Sequence, residues 1–361
     1  VSLDDASATP EVLVRVEGGA GLLSLNRPRA IHALTLDMVR AMTGALLDWR
    51  RDESVRVVLI DHAVDAGGDP KLSRGFCSGG DISLLRQSAL EDGVAGRRFF
   101  FEEYQLNHLL FTYPKPVVAF MDGITMGGGV GISQPARLRV ATQNTRLAMP
   151  ESGIGLFPDV GGGWYLSRLA GRLGQYLALT GARLDGAECI WAGLASHYLP
   201  AAALPQAKAR MIAGDAPDVM LDEMAAPAPE AKIAAHADAI ARLFASDRLE
   251  DILAALEADD SDFAQTTLAT IRTKSPTTCK VSLRQLATSR TLPDFAANMA
   301  MEYHIGGRVL MLPDFAEGVR AVIIDKDNAP QWSPATAEAV TDTMIDDIFA
   351  PLPALEEWKP L

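Results

Sequence analysis

"KPVVAFMDGITMGGGVGISQ" (residues 115–134) decides how the chain folds. An apolar run, Val117–Met121, ends at Asp122-Gly123, and the residues after it turn again at glycines and open a short helix. A continuous apolar run bounded by glycine reads as a strand buried on both faces. The same order recurs on either side. Upstream, "VRVVLIDH" (55–62) is another such strand, and a Gly/Asp/Pro loop leads from it to the glycine turn "FCSGGD" (76–81). Downstream, "LRVAT" (138–142) and "RLAMPE" (146–151) are short strands ahead of one glycine-led helix, "GGWYLSRLAGRLGQYLALTG" (162–181). Residues 11–26, "EVLVRVEGGAGLLSLN", predict two strands around a Gly-Gly turn. "TLDMVRAMTGALLDWRR" (35–51) predicts a helix capped by Thr35, with Leu36, Val39, Met42, Leu46 and Leu47 on one face. Residues 97–113 predict a further helix. Strand, strand and helix repeated with glycine turns make an α/β organisation with both sheet faces covered.

The character of the chain changes near residue 200. "YLPAAALPQAKARMIAGDAP" (198–217) and "AAPAPEAK" (225–232) are Ala/Pro-rich and read as a connector. Beyond 230 the periodicity is almost entirely helical. This divides the chain into an α/β core over 11–200 and a helical C-terminal region over 201–361. No internal repeat of 20–50 residues is present.

With 48% hydrophobic and 22% charged residues, the 361-residue chain can bury a sizeable core, and disorder is not expected. No apolar run approaches the roughly 18 residues of a membrane helix. The acidic, polar start "VSLDDASATP" lacks the features of a signal or transit peptide, and its first residue is not Met, so a trimmed leader stays open. Three widely spaced cysteines, Cys77, Cys189 and Cys279, fit a reducing compartment rather than a disulfide framework. No Cys/His spacing suggests zinc. The net charge of −13 argues against nucleic acid as a partner but not against a small anion, because screening acts within roughly 8 Å.

The two glycine turns, at 76–81 and 126–131, each follow an apolar strand. Glycine lets the backbone approach a ligand, and the first N–H groups of a new helix lack intrahelical acceptors. One such turn is only a tight turn; two in one domain suggest an oxyanion hole. The spacing Gly127-x-Gly129-x-x-Ile132 misses the dinucleotide fingerprint, no P-loop lysine follows, and no Gly-x-Ser-x-Gly occurs. In "MPESGIGLFPDVGGG" (149–163), Glu151 and Asp159 flank a stretch, "GIGLFP", with no polar side chain to solvate them. Such surroundings raise carboxylate pKa values and favour acid–base or nucleophilic work. The plainer alternatives are a solvated loop glutamate at 151 and a helix N-cap at 159. Glu103, beside Glu102 in "FFFEEYQLNHLL", reads as a solvated helix position, and Cys77 as a buried, inert thiol.

These residues carry a family resemblance. "SLNRPRAIHALTLDM", "GFCSGGDI", "GITMGGGVGI" and "MPESGIGLFPDVGGG" resemble the crotonase (enoyl-CoA hydratase/isomerase) superfamily. Outside that core, "EEYQLNHLL", "KSPTTCKVSLRQL", "EYHIGGRVL" and "DFAEGVRAVIIDKDNAPQWSPA" are similar to the branch that hydrolyses short 3-hydroxyacyl-CoA thioesters. The match runs from about residue 11 to 340. It implies a ClpP/crotonase-type spiral of ββα units with a helical C-terminal region that ordinary hydratases lack. It implies thioester hydrolysis, with 3-hydroxyisobutyryl-CoA in valine breakdown as substrate and no cofactor or metal beyond the CoA of the substrate. By the same resemblance, the N–H groups of Gly80 and Gly128 form the oxyanion hole, Glu151 and Asp159 are catalytic, and Glu103 contacts substrate. Arg27 and Arg29 become candidates for the CoA phosphates. Hydratases carry a second glutamate just after the glycine triplet, and dienoyl-CoA isomerases an aspartate there; this chain has Gly131. The alternatives are an enoyl-CoA hydratase or isomerase with an unusual second group and, more remotely, a non-catalytic acyl-CoA binder. The expected setting is the cytoplasm, or the mitochondrial matrix in a eukaryote, without membrane or nucleic acid. A homo-oligomer is compatible with the family's trimers and hexamers.

Overall fold

Ten strands in two sheets set the frame in a computed structural model that describes residues 9–64 and 69–361. The strands are β1 (Val12–Glu17), β2 (Ala20–Leu25), β3 (Val57–His62), β4 (Gly75–Cys77), β5 (Val117–Met121), β6 (Ile124–Met126), β7 (Leu138–Ala141), β8 (Arg146–Ala148), β9 (Leu184–Asp185) and β10 (His197–Tyr198). The larger sheet has the order β1-β2-β3-β5-β7-β10, the smaller one β4-β6-β8-β9. β1 and β2 form the expected hairpin, with Val12 opposite Leu25 and Glu17 opposite Ala20. From β2 to β10 the neighbours in the large sheet are parallel.

Three successive pairs, β3/β4, β5/β6 and β7/β8, each place one strand in the large sheet and the next in the small sheet. A helix or helical turn follows each pair: Ile82–Leu90, Gly128–Ser133 and Glu151–Ile154. This is the ββα spiral the sequence predicts. β2, β3 and β5 are buried at every position, as a parallel sheet covered on both faces requires. The side chains alternate as a pleat dictates: Val58 and Ile60 enter the main core, while Val57 and Leu59 face the other way.

That second face corrects the expectation of a connector over 198–217, whereas 225–231 is irregular as expected. Leu204, Ala207 and Met211, on the helix Leu204–Ala213, and Met220 and Leu221, on Pro217–Met224, cover Leu22, Val57, Leu59, Val118 and Phe120. Alanine is a strong helix former, and the prolines sit in the first helical turn, where a missing N–H costs nothing. The helix predicted over 162–181 is instead two, Gly162–Leu166 and Leu173–Thr180. Gly171 and Arg172 between them have φ of 61° and 67°, and the Arg172 guanidinium is held by the Ser246 carbonyl at 2.7 Å. The helix Leu36–Trp49 is capped by Thr35 as expected, but Leu47 faces solvent.

The helical C-terminal region shares one core with the sheets. Leu283, Leu286, Met299 and Ile305 pack with Leu23, Phe99, Ile132 and Leu177. The helix Pro276–Ser289 packs on Gly162–Leu166 and Leu173–Thr180, and Phe295–Val309 packs on Val94–Phe111. Pro313–Val319 lies against Ile82–Leu90 and against the turn Glu151–Ile154. Among the described residues no helix is long and apolar enough to cross a membrane.

Candidate active site

The first glycine turn is stitched to residues 30–34. Ser78 donates through its N–H to the Ile31 carbonyl at 2.9 Å and through its hydroxyl to the Ala30 carbonyl at 3.0 Å. Leu34 bridges across Gly80: its N–H donates to the Gly79 carbonyl at 2.7 Å, and its carbonyl accepts from the Asp81 N–H at 2.9 Å. In such a parallel bridge the residue opposite uses neither of its own groups, so the Gly80 N–H is directed away from Leu34. The second turn places Gly128 first in the helix Gly128–Ser133, where an N–H has no intrahelical acceptor. A Cβ on Gly79 would lie 3.7 Å from the Gly128 nitrogen, so the two turns abut.

Gly80 and Gly128 line one cavity of about 480 Å³ together with Glu103, Glu151 and Asp159. Glu102 and Glu103 divide as adjacent helix positions must. Glu102 pairs with Arg40 at 2.6 Å and Arg98 at 3.0 Å on the surface, while Glu103 is 2% exposed. Glu103 is therefore no solvated position. Glu151 opens the turn Glu151–Ile154, is 5% exposed, and has no hydrogen-bond partner for Oε2 among the described residues. Asp159 does not cap the following helix, whose N-cap is Gly161; its carboxylate accepts instead from the Tyr104 hydroxyl at 2.8 Å.

Three carboxylates so close and so dry resist ionisation. Burial, and then the charge of Asp159, push Glu151 and Glu103 well above the usual carboxylate range. Burial raises Asp159 to about 7, with the Tyr104 hydrogen bond pulling the other way. Glycine at 127 and 128 makes room for this cluster. A Cβ would stand 3.1 Å from Glu151 Oε1 at Gly127, and 2.6 Å from Glu103 Oε1 at Gly128. Gly128→Ala is accordingly expected to displace Glu103 and lower kcat by about 10²-fold or more. A kcat equal to wild type would remove Gly128 from the reacting centre.

Cys77 is buried and its thiol is pushed up to about 12 by burial, so the inert reading holds. Arg27 is committed elsewhere, to Asp81 at 2.9 Å and Glu11 at 3.3 Å, and neither Arg27 nor Arg29 lines the cavity. The cations that do line it are Arg183 and the half-buried Lys274. Lys274, Val322, Ile323 and Asn328 form the wall supplied by the C-terminal region. Asp314 ties that wall to the Glu151 turn: it accepts from the Ser275 hydroxyl at 2.6 Å, and the Ser275 N–H donates to the Ser152 carbonyl at 3.1 Å. Tyr104 and Lys274 lie in the quoted segments "EEYQLNHLL" and "KSPTTCKVSLRQL", but neither spacing nor neighbours single them out there as site residues. A larger open groove of about 1160 Å³ runs along Arg40, Arg98 and the C-terminal tail, but none of its carboxylates is buried.

Residues 20–349 match the family model "Enoyl-CoA hydratase/isomerase". The chain is 41% identical over 352 residues to the mitochondrial 3-hydroxyisobutyryl-CoA hydrolase of Xenopus tropicalis, covering 95% of this chain and 89% of that one. It is 39% identical over 357 residues to the human protein of the same name, covering 96% and 90%. Among solved structures, a carnitinyl-CoA dehydratase from Mycobacterium thermoresistibile is 41% identical with a TM-score of 0.90, covering 96% of this chain and 98% of that one. An enoyl-CoA hydratase from Rhodobacter sphaeroides 2.4.1 is 37% identical with a TM-score of 0.88, covering 97% and 100%. With its spiral of strand pairs and the match extending over nearly its whole length, the chain belongs to the enoyl-CoA hydratase/isomerase (crotonase) family.

Proposed function

We propose that the protein hydrolyses a short 3-hydroxyacyl-CoA thioester, 3-hydroxyisobutyryl-CoA in valine catabolism, to the free acid and CoA. The observation that carries this reading is the dry cluster of Glu151, Asp159 and Glu103 facing Gly80 and Gly128 in one cavity. The thioester oxygen accepts from the N–H groups of Gly80 and Gly128 as it becomes negative, a contribution of roughly 2.7–4 kcal/mol per donor. Glu151 attacks the carbonyl carbon to give an anhydride that water then opens, or takes a proton from a water that attacks directly. In either route a C–O bond forms, the C–S bond breaks, and the CoA thiolate ends protonated. Trapping by hydroxylamine, which converts an anhydride to a hydroxamate on Glu151, separates the routes. Asp159, with Glu103, accepts from the 3-hydroxyl of the substrate, and a buried acceptor of this kind selects strongly against acyl groups that lack it. Lys274 and Arg183 are the cations positioned to meet the CoA phosphates. CoA belongs to the substrate, and the chemistry needs no metal or other cofactor. Three buried free thiols suit a reducing compartment, cytoplasm or mitochondrial matrix.

The names of the two solved relatives favour a second reading, hydration of an enoyl-CoA. Against it stands Gly131. A Cβ there would lie 2.6 Å from Val160 Cβ and 3.0 Å from Asn107 Nδ2, so the space for a second glutamate is filled. A panel of acyl-CoAs tests the choice. Thiol release is expected from 3-hydroxyisobutyryl- and 3-hydroxypropionyl-CoA, and little loss of the conjugated absorbance of crotonyl-CoA. Fast hydration with no thiol release would reverse the assignment.

A further inference from the structure

Glu302 is buried behind the cavity without lining it, on the helix Phe295–Val309. Its Oε2 accepts from the Gly161 N–H at 2.7 Å. Its Oε1 accepts from the Gly163 N–H, Gln285 Nε2 and Asn298 Nδ2, each at 2.9 Å. Gln285 Nε2 also donates to the Pro158 carbonyl at 2.7 Å, and the Ser289 hydroxyl holds Asn298 Oδ1 at 2.6 Å. The C-terminal helices thus grip both ends of the segment 158–163, immediately before and after Asp159. Gly163 is part of the fit: a Cβ there would stand 2.5 Å from Ser289 Oγ and 2.9 Å from Glu302 Oε1.

Between the two anchors lies Val160, with φ of 51°. A β-branched residue in the left-handed region costs on the order of 1–3 kcal/mol and persists only where its surroundings over-determine it. Val160 also fills the space beside Gly131, so relaxing it would move a wall of the cavity as well as the carboxylate next to it. The titratable groups facing Glu302 are Asp159, Tyr104 and Tyr165. Burial pushes Glu302 up to about 8 while the Gly161, Asn298 and Gly163 donors pull it down.

We propose that Glu302 is a positioning residue: with Gln285 it clamps the strained turn at Val160 and keeps the Asp159 carboxylate aimed at the substrate. This rests on the proposed role of Asp159 in thioester hydrolysis, and it gives the C-terminal helices a part in the reaction. It also accounts for a buried carboxylate surrounded by donors yet out of the substrate's reach.

Glu302→Gln keeps the shape but loses one acceptor. If the amide oxygen serves Gly163, Gln285 and Asn298, its NH₂ opposes the Gly161 N–H. Thiol release is expected to fall about 10–100-fold in kcat per active site, the scale of a misplaced catalytic group. Sites are counted by the stoichiometry of a non-hydrolysable thioether analogue of the acyl-CoA, whose affinity is expected to stay within about 3-fold. Gln285→Met, which removes the tie to Pro158 and one of the donors to Glu302 Oε1 but leaves the carboxylate and its Gly161 and Gly163 bonds in place, is expected to act in the same direction and less strongly. Wild-type kcat per binding site in both variants, with only a lowered Tm, overturns the inference. So does a loss of analogue binding in both that matches the loss of activity, since the network would then merely hold the cavity together. The wild-type assay keeps the two claims apart: release by wild type with equal release by both variants sinks this inference alone, whereas no release by wild type takes the proposed function with it.

Discussion

Glu151→Gln is expected to lower thiol release by at least about 10³-fold, roughly 4 kcal/mol of transition-state stabilisation, while binding of a thioether analogue persists. The amide has the volume of the carboxylate and enters a site 5% exposed, so the packing of the turn Glu151–Ile154 is retained. What is lost is the negative charge that lets the carboxylate attack carbon or take a proton. The wild-type pH profile belongs to the same expectation. Burial and the charge of Asp159 raise Glu151 well above 4.5, and its ionised form is the reactive one. Activity is therefore expected to rise with pH along a limb displaced upward from the ordinary carboxylate range. A Glu151→Gln enzyme within tenfold of wild type would remove Glu151 from the reacting centre.

The strand, strand, helix repeat was legible because glycine and apolar runs are local signals; its winding into a spiral was what the family resemblance implied. β2, β3 and β5 are continuous buried runs, and the crossing from β5 to the small sheet is marked by Gly123, where a Cβ would meet Gly75 Cα at 2.6 Å. The carboxylates were legible only in part. Glu151 and Asp159 stood out because their neighbours are apolar, but Glu103 and Glu102 look alike in sequence, and only the pairing of Glu102 with Arg40 and Arg98 decides which turns inward. Arg27 shows the converse. The resemblance makes it a candidate for phosphate, yet Asp81, which caps the helix Ile82–Leu90, and Glu11 both pair with it. Lys274 enters the cavity from more than 100 residues further along the chain, and Glu302 grips Gly161 from 141 residues away. Both open segments that carry the family resemblance, "KSPTTCKVSLRQL" and "EYHIGGRVL", but no periodicity says what their side chains touch. The Ala/Pro-rich stretch over 198–217 misled for a different reason: Pro205 and Pro217 mark helix starts, not a linker, and the Leu204, Ala207 and Met211 stripe is diluted by alanine.

Asp159→Asn is expected to cost most of the activity and to stabilise the fold, and the second effect has a defined pH window. The amide still accepts from the Tyr104 hydroxyl, so the geometry at 2.8 Å is kept. Its loss of charge is what matters. Burial raises Asp159 from 3.8 to about 7, so the folded state binds this proton more tightly than the unfolded chain does. For a carboxylate shifted upward, the contribution to stability is complete below 3.8, declines as pH rises, and is fully lost above about 7. Asparagine carries no such penalty. The Tm of Asp159→Asn relative to wild type is therefore expected to be unchanged near pH 4, to climb toward pH 7, and to level off beyond it. The plateau is on the order of 2 kcal/mol, below the full value for three pKa units because Glu103 and Glu151 share the strain of crowded charge. The same loss of charge relieves Glu151, so any residual activity is expected to have its acid limb at lower pH than wild type. Thermal unfolding of both proteins from pH 4 to 9, with thiol release alongside, reads all three effects. A Tm difference that stays flat with pH would mean that Asp159 is solvated, and with it the dry cluster on which thioester hydrolysis is argued would be gone.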